Sequence, residues 1–258
     1  MDGTQKGTTP CEISGLSVGS HTVEISLNGY ETVTRTVSIT ANVIREIAGT
    51  LSKTATASSS SSSGTSSSSS SSVSVSSATG TIGNHGYVDM GLSVKWATCN
   101  VGASSPEGYG SYFAWGETTE KETYTKENSK TYGESYGDIS GNSAYDAARA
   151  NWGSTWRLPT KAEFQELIDN CSWTWTTYNG KKGCKVVSKK NNNSIFLPAA
   201  GNRFGSSLYY AGERGDYWGS TPDESNTDGA WSLDFGSGYR LVCGHGRLLG
   251  QSVRPVSE

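Results

Sequence analysis

Apolar and polar residues alternate with a two-residue period near the start of the chain. Val23, Ile25 and Leu27 fall on one face of His21–Leu27, and Val33, Val37 and Ile39 continue that face beyond Asn28-Gly29, with Arg35 interrupting it. Asn-Gly between two alternating runs is a strong hairpin signal, so residues 1–54 read as a small all-β unit, with Val43–Leu51 as a candidate third strand. Globular patterning resumes at Ile82. Tyr87–Ala97 reads as a hairpin-like pair about Gly91, and Tyr112–Gly116 as an aromatic strand. Residues 117–150 are polar and read as loop, with a short helix near Ala144–Ala150. A helical period follows Trp156-Arg157-Leu158-Pro159. There Thr160 and Glu163 form a capping box, Phe164, Leu167 and Ile168 share a face, and Asp169-Asn170 ends the helix. Strands are expected around Cys184–Ser188 and Ile195–Leu197. From Ile195 to Val256, short apolar and aromatic runs are broken every few residues by Gly, Pro, Asn or Ser, which predicts short strands and tight turns. Inside that stretch Tyr239–Gly250 (YRLVCGHGRLLG) mixes small and polar residues and reads as a surface insert.

Between the two patterned regions lies a linker, residues 55–81. Thirteen of the fifteen residues from Ser58 to Ser72 are serine, too few apolar groups to offset the entropy of ordering a chain. Over 258 residues the formal net charge is −3, which gives no global field favouring nucleic acid or an anionic membrane. No run approaches the ~18 apolar residues of a membrane helix, and Met1-Asp2-Gly3-Thr4 is not a signal peptide. Asp2-Gly3 reads as a turn whose preceding strand is missing, so the native N-terminus, with a lipid anchor, is expected upstream of Met1. Five cysteines cannot all pair, and with no CxxC and three histidines no zinc spacing emerges. Buried thiols are the expectation for most of them, with one Cys171–Cys184 bridge as the alternative.

Two resemblances sharpen this reading. Gly7-Thr-Thr-Pro10, Gly19-Ser-His-Thr-Val23, Gly29-Tyr30 and Val37-Ser-Ile39 resemble the PEGA domain, an accessory β module of bacterial surface and envelope proteins. Val88–Ala103, Tyr112–Glu117, Trp156–Trp173, IFLPAAG (Ile195–Gly201), YWGSTP (Tyr217–Pro222) and SVRPV (Ser252–Val256) resemble the Fibrobacter succinogenes major paralogous domain. That family is related to C-type-lectin-like and formylglycine-generating-enzyme-like folds. The second resemblance implies an α+β, C-type-lectin-like domain with long loops over residues 82–258, whose C-terminal strands and loops build a ligand face. Trp96, Trp115, Trp156, Phe164, Trp218 and Arg254-Pro255 would then belong to its frame.

Candidate chemistry narrows the function. GxSxG is absent, and Cys243 stands alone where formylglycine-generating enzymes carry a cysteine pair, so no catalysis is expected, and no cofactor. The tripeptides of calcium-dependent sugar sites are absent, and Asp216, Asp223, Glu224, Asp228 and Asp234 read as solvated loop charges, with no metal site expected. Calcium-independent sugar stacking would use Tyr209, Tyr210 or Trp231. Glu213–Asp234 is rich in acids, whereas Phe235–Ser257 has none and carries Arg240, Arg247, Arg254 and His245. An anionic rim beside a cationic patch would orient a partner.

Relatives of the paralogous domain commonly carry tyrosine-rich text between the SGY and RPV signatures. Here Arg240, Leu241, Cys243, Gly244, His245, Gly246, Leu248 and Leu249 stand there, with Arg247 and Gly250 fitting the usual frame. From Gly236 to Gly250 there is no Lys, Glu, Gln, Met or Trp, the residues that pyrimidine-ending codons do not encode. That is the trace adenine-directed mutagenesis by a diversity-generating retroelement leaves; ordinary drift on an exposed surface is the alternative. The expected ligand face joins these positions to Asn202, Phe204, Glu213, Arg214, Asp216, Gly229, Trp231, Ser232 and Asp234, of which Glu213 and Trp231 break the codon rule. The expectation is a non-catalytic surface or secreted adhesin or receptor, an outer-membrane lipoprotein that binds a protein or glycan. A structural envelope protein without a specific ligand is the alternative.

Overall fold

The alternating N-terminal run forms an antiparallel ladder, β1 (Gly19–Ile25) against β2 (Val33–Ile39), in unbroken register from Gly19↔Ile39 to Ile25↔Val33. His21, Val23 and Ile25 are half-buried while Thr22 and Glu24 are exposed, the period expected of a one-faced ladder. Asp2 closes over it, its carboxylate accepting from the Thr22 amide at 2.7 Å and lying 2.6 Å from His21 Nδ1. The computed structural model describes residues 2, 13–26, 32–39 and 73–258. The Asn28-Gly29 turn, the Val43–Leu51 run, the serine tract and Cys11 lie outside the described residues. The chain divides into two compact units, Met1–Ser69 and Ser70–Glu258.

The C-terminal unit takes in residues upstream of Ile82. Ser76 donates its amide to the Ser194 carbonyl at 3.2 Å, and β3 (Gly80–Ile82) pairs with β4 (His85–Val88). β4 pairs in turn with β5 (Lys95–Ala97), with Gly91 at φ +66 in the connection. Asp146 caps α1 (Ala147–Trp152), and Thr160 and Glu163 complete the expected capping box on α2 (Lys161–Asn170). Phe164 and Leu167 of α2 are fully buried against Trp96, Val186, Tyr217, Leu233 and Phe235. α2 runs without a glycine stop into β6 (Cys171–Tyr178), a strand the sequence pattern did not anticipate. β6 pairs with β7 (Lys181–Ser188), and β7 with β8 (Ser194–Pro198).

Next comes a small hairpin, β9 (Asn202–Phe204) and β10 (Ser207–Tyr209), turned at Gly205, whose φ of +56 suits glycine. The three-stranded antiparallel sheet of β11 (Gly215–Pro222), β12 (Gly229–Phe235) and β13 (Arg240–Gly246) follows. β14 (Val256–Ser257) then returns to pair with β5. Among the described residues the architecture is mostly β-sheet with two helices, α+β in the loose sense.

Three expectations change. Tyr112–Gly116 is not a strand; Phe113 makes a single bridge to Gln251. Its aromatic pattern arises because it is buried on both sides, with Tyr112 and Ala114 packed near Tyr124 and Ala200, and Phe113 and Trp115 near Leu158, Trp218 and Val253. Cys171 and Cys184 are buried free thiols, as is Cys99. Cys171 stands opposite Ser188 and Cys184 opposite Trp175, so the register keeps them apart. Finally, the Tyr239–Gly250 stretch is no loose insert, since Arg240–Gly246 pairs residue for residue with β12.

Two buried arginines hold the frame. Arg254 donates to Asn100 Oδ1 and to the carbonyls of Ala97, Thr98 and Phe196 at 2.8–3.1 Å. Arg247 donates to the carbonyls of Gly229, Thr131 and Glu134 at 2.7–3.0 Å, with its guanidinium 4.3 Å from the Trp115 ring centroid. The expected cationic patch therefore shrinks: two of its three arginines are consumed in carbonyl contacts inside the fold, and only Arg240 is exposed.

Candidate functional site

Successive strand residues point to opposite faces, so the register of β11–β13 sorts the candidate residues. Asp216 stands opposite Asp234, which stands opposite Leu241; Trp218 stands opposite Ser232, which stands opposite Cys243; Ala230 stands opposite His245. These residues form one face. Gly215, Tyr217, Trp231, Leu233, Phe235, Arg240, Val242 and Gly244 belong to the other, which packs on the main core through Tyr217, Leu233, Phe235 and Val242. Trp231, Arg240 and Gly244 are thereby removed from the expected ligand face. Trp231 instead lies under Lys161, whose Nζ is 3.1 Å from its ring centroid.

The first face carries a connected polar network. Asp216 is fully buried; its Oδ2 accepts from Asn202 Nδ2 at 3.1 Å and from Arg214 Nε at 3.0 Å. Its Oδ1 has no hydrogen-bond partner and lies 3.8 Å from His245 Nδ1. On the other side of that ring, His245 Nε2 lies 3.7 Å from Asp234 Oδ2, while Asp234 Oδ1 accepts from the Tyr239 hydroxyl at 3.0 Å. Gln251 Nε2 lies 2.8 Å from His245 Nδ1, and Gln251 Oε1 accepts from Ser232 at 2.8 Å. Burial pushes the Asp216 carboxyl up against the pull of Arg214. His245 shows the reverse balance. Burial opposes its charge, yet the neighbouring Asp234, Cys243 and Asp216 raise it to about 9. Asp216 and Asp234 are thus not the solvated loop charges expected, because adjacent strands bury them face to face; Glu224 is exposed and Asp223 and Asp228 half-buried.

Around this network lies exposed apolar surface. Among the described residues seven large hydrophobic side chains are exposed, and six fall between residues 204 and 241: Phe204, Leu208, Tyr209, Tyr210, Tyr239 and Leu241. Several are tied to the network. Arg214 stacks on Tyr210 with its guanidinium 4.5 Å from the ring centroid, and Tyr209 pairs with Asn202 in the β9–β10 register. Phe204 lies on the same face of β9 as Asn202, two residues along.

The remaining candidates sit at the edges. Glu213 is exposed beside Arg214, Gly229 gives its carbonyl to Arg247, and Gly246 ends β13 and accepts from the Leu249 amide across the turn that holds Leu248. Leu249 packs on the Trp115–Trp218 cluster. Sequence reasoning missed Leu208, Tyr239 and Gln251. The Tyr239 signal was present as an aromatic between a Gly-rich turn and an alternating run; Gln251 carried none, because its role depends on long-range pairing.

The fold and this face define a β-rich module that exposes an aromatic rim around a buried ion network. At the other end of the chain, residues 1–55 match the PEGA domain family. No curated protein and no solved structure matches the chain. No helix among the described residues is long and apolar enough to cross a membrane.

Proposed function

We propose that the C-terminal unit is a non-catalytic ligand-binding module of C-type-lectin-like architecture, carried on a PEGA-bearing envelope or secreted protein. Its ligand face comprises Phe204, Tyr209, Tyr210, Arg214, Tyr239, Leu241, Cys243 and His245 over the buried Asn202, Ser232 and Asp234, and it takes a protein or glycan. The observation that carries this reading is the gathering of exposed apolar side chains around fixed polar groups. Contiguous exposed apolar surface marks interaction sites, and rigid aromatics with an arginine are the usual energetic anchors of interfaces. The resemblance to the paralogous domain and the codon pattern over Gly236–Gly250 support diversification of the outward positions of β13.

Glycan and protein arrays probed with the C-terminal unit test the proposal. A captured ligand should lose at least about tenfold in affinity with Tyr210→Ala, equivalent to ~1.4 kcal/mol, and change partners with Leu241→Tyr. Arg240→Ala, on the opposite face, should leave it unchanged. Equal loss from all three variants would refute the assignment of the face. A source genome without a reverse transcriptase and template repeat near this gene would refute the diversification.

A further inference from the structure

We propose that Asp234, Cys243 and His245 form a site for one divalent transition-metal ion of the zinc class, with a fourth coordination position open to solvent. The site shares these three residues with the proposed ligand face but rests on donor atoms rather than on the aromatic rim, so metal uptake can fail while the face still binds its ligand. Cys243 and His245 are two residues apart on β13 and so share a face. Asp234, opposite Leu241, is the diagonal cross-strand neighbour of Cys243. One donor atom from each of the three lies within 4.8 Å of the others, and His245 Nε2 and Asp234 Oδ2 are already 3.7 Å apart. A tetrahedral ion with bonds of about 2.0–2.3 Å holds its ligand atoms roughly 3.3–3.8 Å apart, so the set needs to close by only about an ångström.

The chemistry selects the ion. Imidazole, thiolate and carboxylate together suit zinc or cobalt, whereas calcium and magnesium take oxygen ligands. Metal binding releases the protons of Cys243 and His245, and Asp216, Asp234 and the Cys243 thiolate then face one guanidinium, Arg214, a negative excess that a divalent cation neutralises. Tyr239 occupies Oδ1 of Asp234 and leaves Oδ2 for the ion. A second observation comes from behind the ring. A metal on Nε2 requires the proton on Nδ1, and that proton requires an acceptor. Asp216 Oδ1 is a buried carboxylate oxygen without a partner, 3.8 Å from Nδ1; Gln251 Nε2, now 2.8 Å from the same nitrogen, is a donor and has to give way to that proton, so that Asp216 closes on it as the carboxylate that orients a metal-bound histidine. A buried unpaired polar atom calls for such an explanation. Cys243 and His245 are only half-buried, which leaves the fourth position accessible.

The test uses the full chain, reduced and stripped with chelator, titrated with Zn2+ in a calorimeter and with Co2+ in a spectrophotometer. One equivalent of each should bind, and the Co2+ form should show a thiolate-to-metal charge-transfer band. Cys243→Ser should abolish that band, and Asp216→Asn, which leaves the three donors in place, should weaken Zn2+ by about 10–100-fold. His21→Ala, in the other unit, should change neither. Three results would overturn the proposal: no uptake by the wild-type chain, bound Co2+ without the band, or a band that survives Cys243→Ser. The wild-type spectrum decides the first two whether or not the variants fold.

Discussion

Removing the guanidinium of Arg247 should cost the C-terminal unit about 3–5 kcal/mol. The side chain is 1% exposed and donates three hydrogen bonds, to the carbonyls of Gly229, Thr131 and Glu134. Hydrogen bonds from a charged donor contribute about 1.5–3 kcal/mol each; without Arg247 the Gly229 and Thr131 carbonyls keep the Asp223 and Glu134 amides, and the Glu134 carbonyl is the abandoned acceptor, at ~1–3 kcal/mol. Against this, the wild type bears the desolvation of the charge, which lowers the guanidinium's affinity for its proton, and Arg247→Ala relieves that burden. Stacking on Trp115 adds up to about 2 kcal/mol when desolvated. The net lies well below the simple sum, in the range given. Arg247→Lys keeps the charge but lacks the planar fork, so it should recover only part of the loss, about 1–3 kcal/mol relative to wild type. Urea unfolding followed by tryptophan fluorescence measures both. A loss under ~1 kcal/mol for Arg247→Ala, or full rescue by lysine, would refute the claim that the planar, buried guanidinium stabilises the fold through these contacts.

Leu167→Ala should destabilise the C-terminal unit by about 2–5 kcal/mol, since Leu167 is fully buried in the α2 core; a loss under ~0.5 kcal/mol would contradict that packing. A fragment starting at Val73 should be more stable than one starting at Gly83 by roughly 1–3 kcal/mol, because the shorter one loses the Ser76–Ser194 bonds and β3; coincident melts would show that these contacts contribute nothing. By NMR titration His85, desolvated by burial and stacked 3.7 Å from Trp152, should titrate below the ordinary histidine value, and His21, bonded to Asp2, above it. The signs of linkage differ accordingly. The His85 contribution is lost as pH falls through the unfolded histidine range. The His21 contribution is complete below that range and is lost as pH rises through its raised value. A reversed order of the two would refute both environments.

Local signals made part of this fold legible. Thr160 and Glu163 announced α2, and alternation announced β1, β2 and the β4–β5 pair. β6 escaped because Asn170 passes into Cys171 without a glycine or proline, and a run of Trp and Thr next to a helix has no punctuation of its own. Gly244 and Gly246 made β13 resemble a loop; its pairing with β12 outweighs that local preference. The site was harder still. Cys243-x-His245 would have shown two donors on one face had the stretch been read as a strand, but Asp216, Asp234 and Gln251 join them only through the sheet. Trp231 parts from the other candidates for the same reason, since parity along β12 sends it to the helix side.

The segment from Gln251 to Ser257 bears on when the C-terminal unit can fold during synthesis. It joins Phe113, Tyr217, Arg157, Val101 and the β5 edge by backbone bonds, and Arg254 reaches the carbonyls of residues made some 60 to 160 positions earlier. A nascent chain that has emerged only as far as β13 still lacks the piece that ties those regions together. Closure therefore waits for residues 251–257 to clear the ribosome.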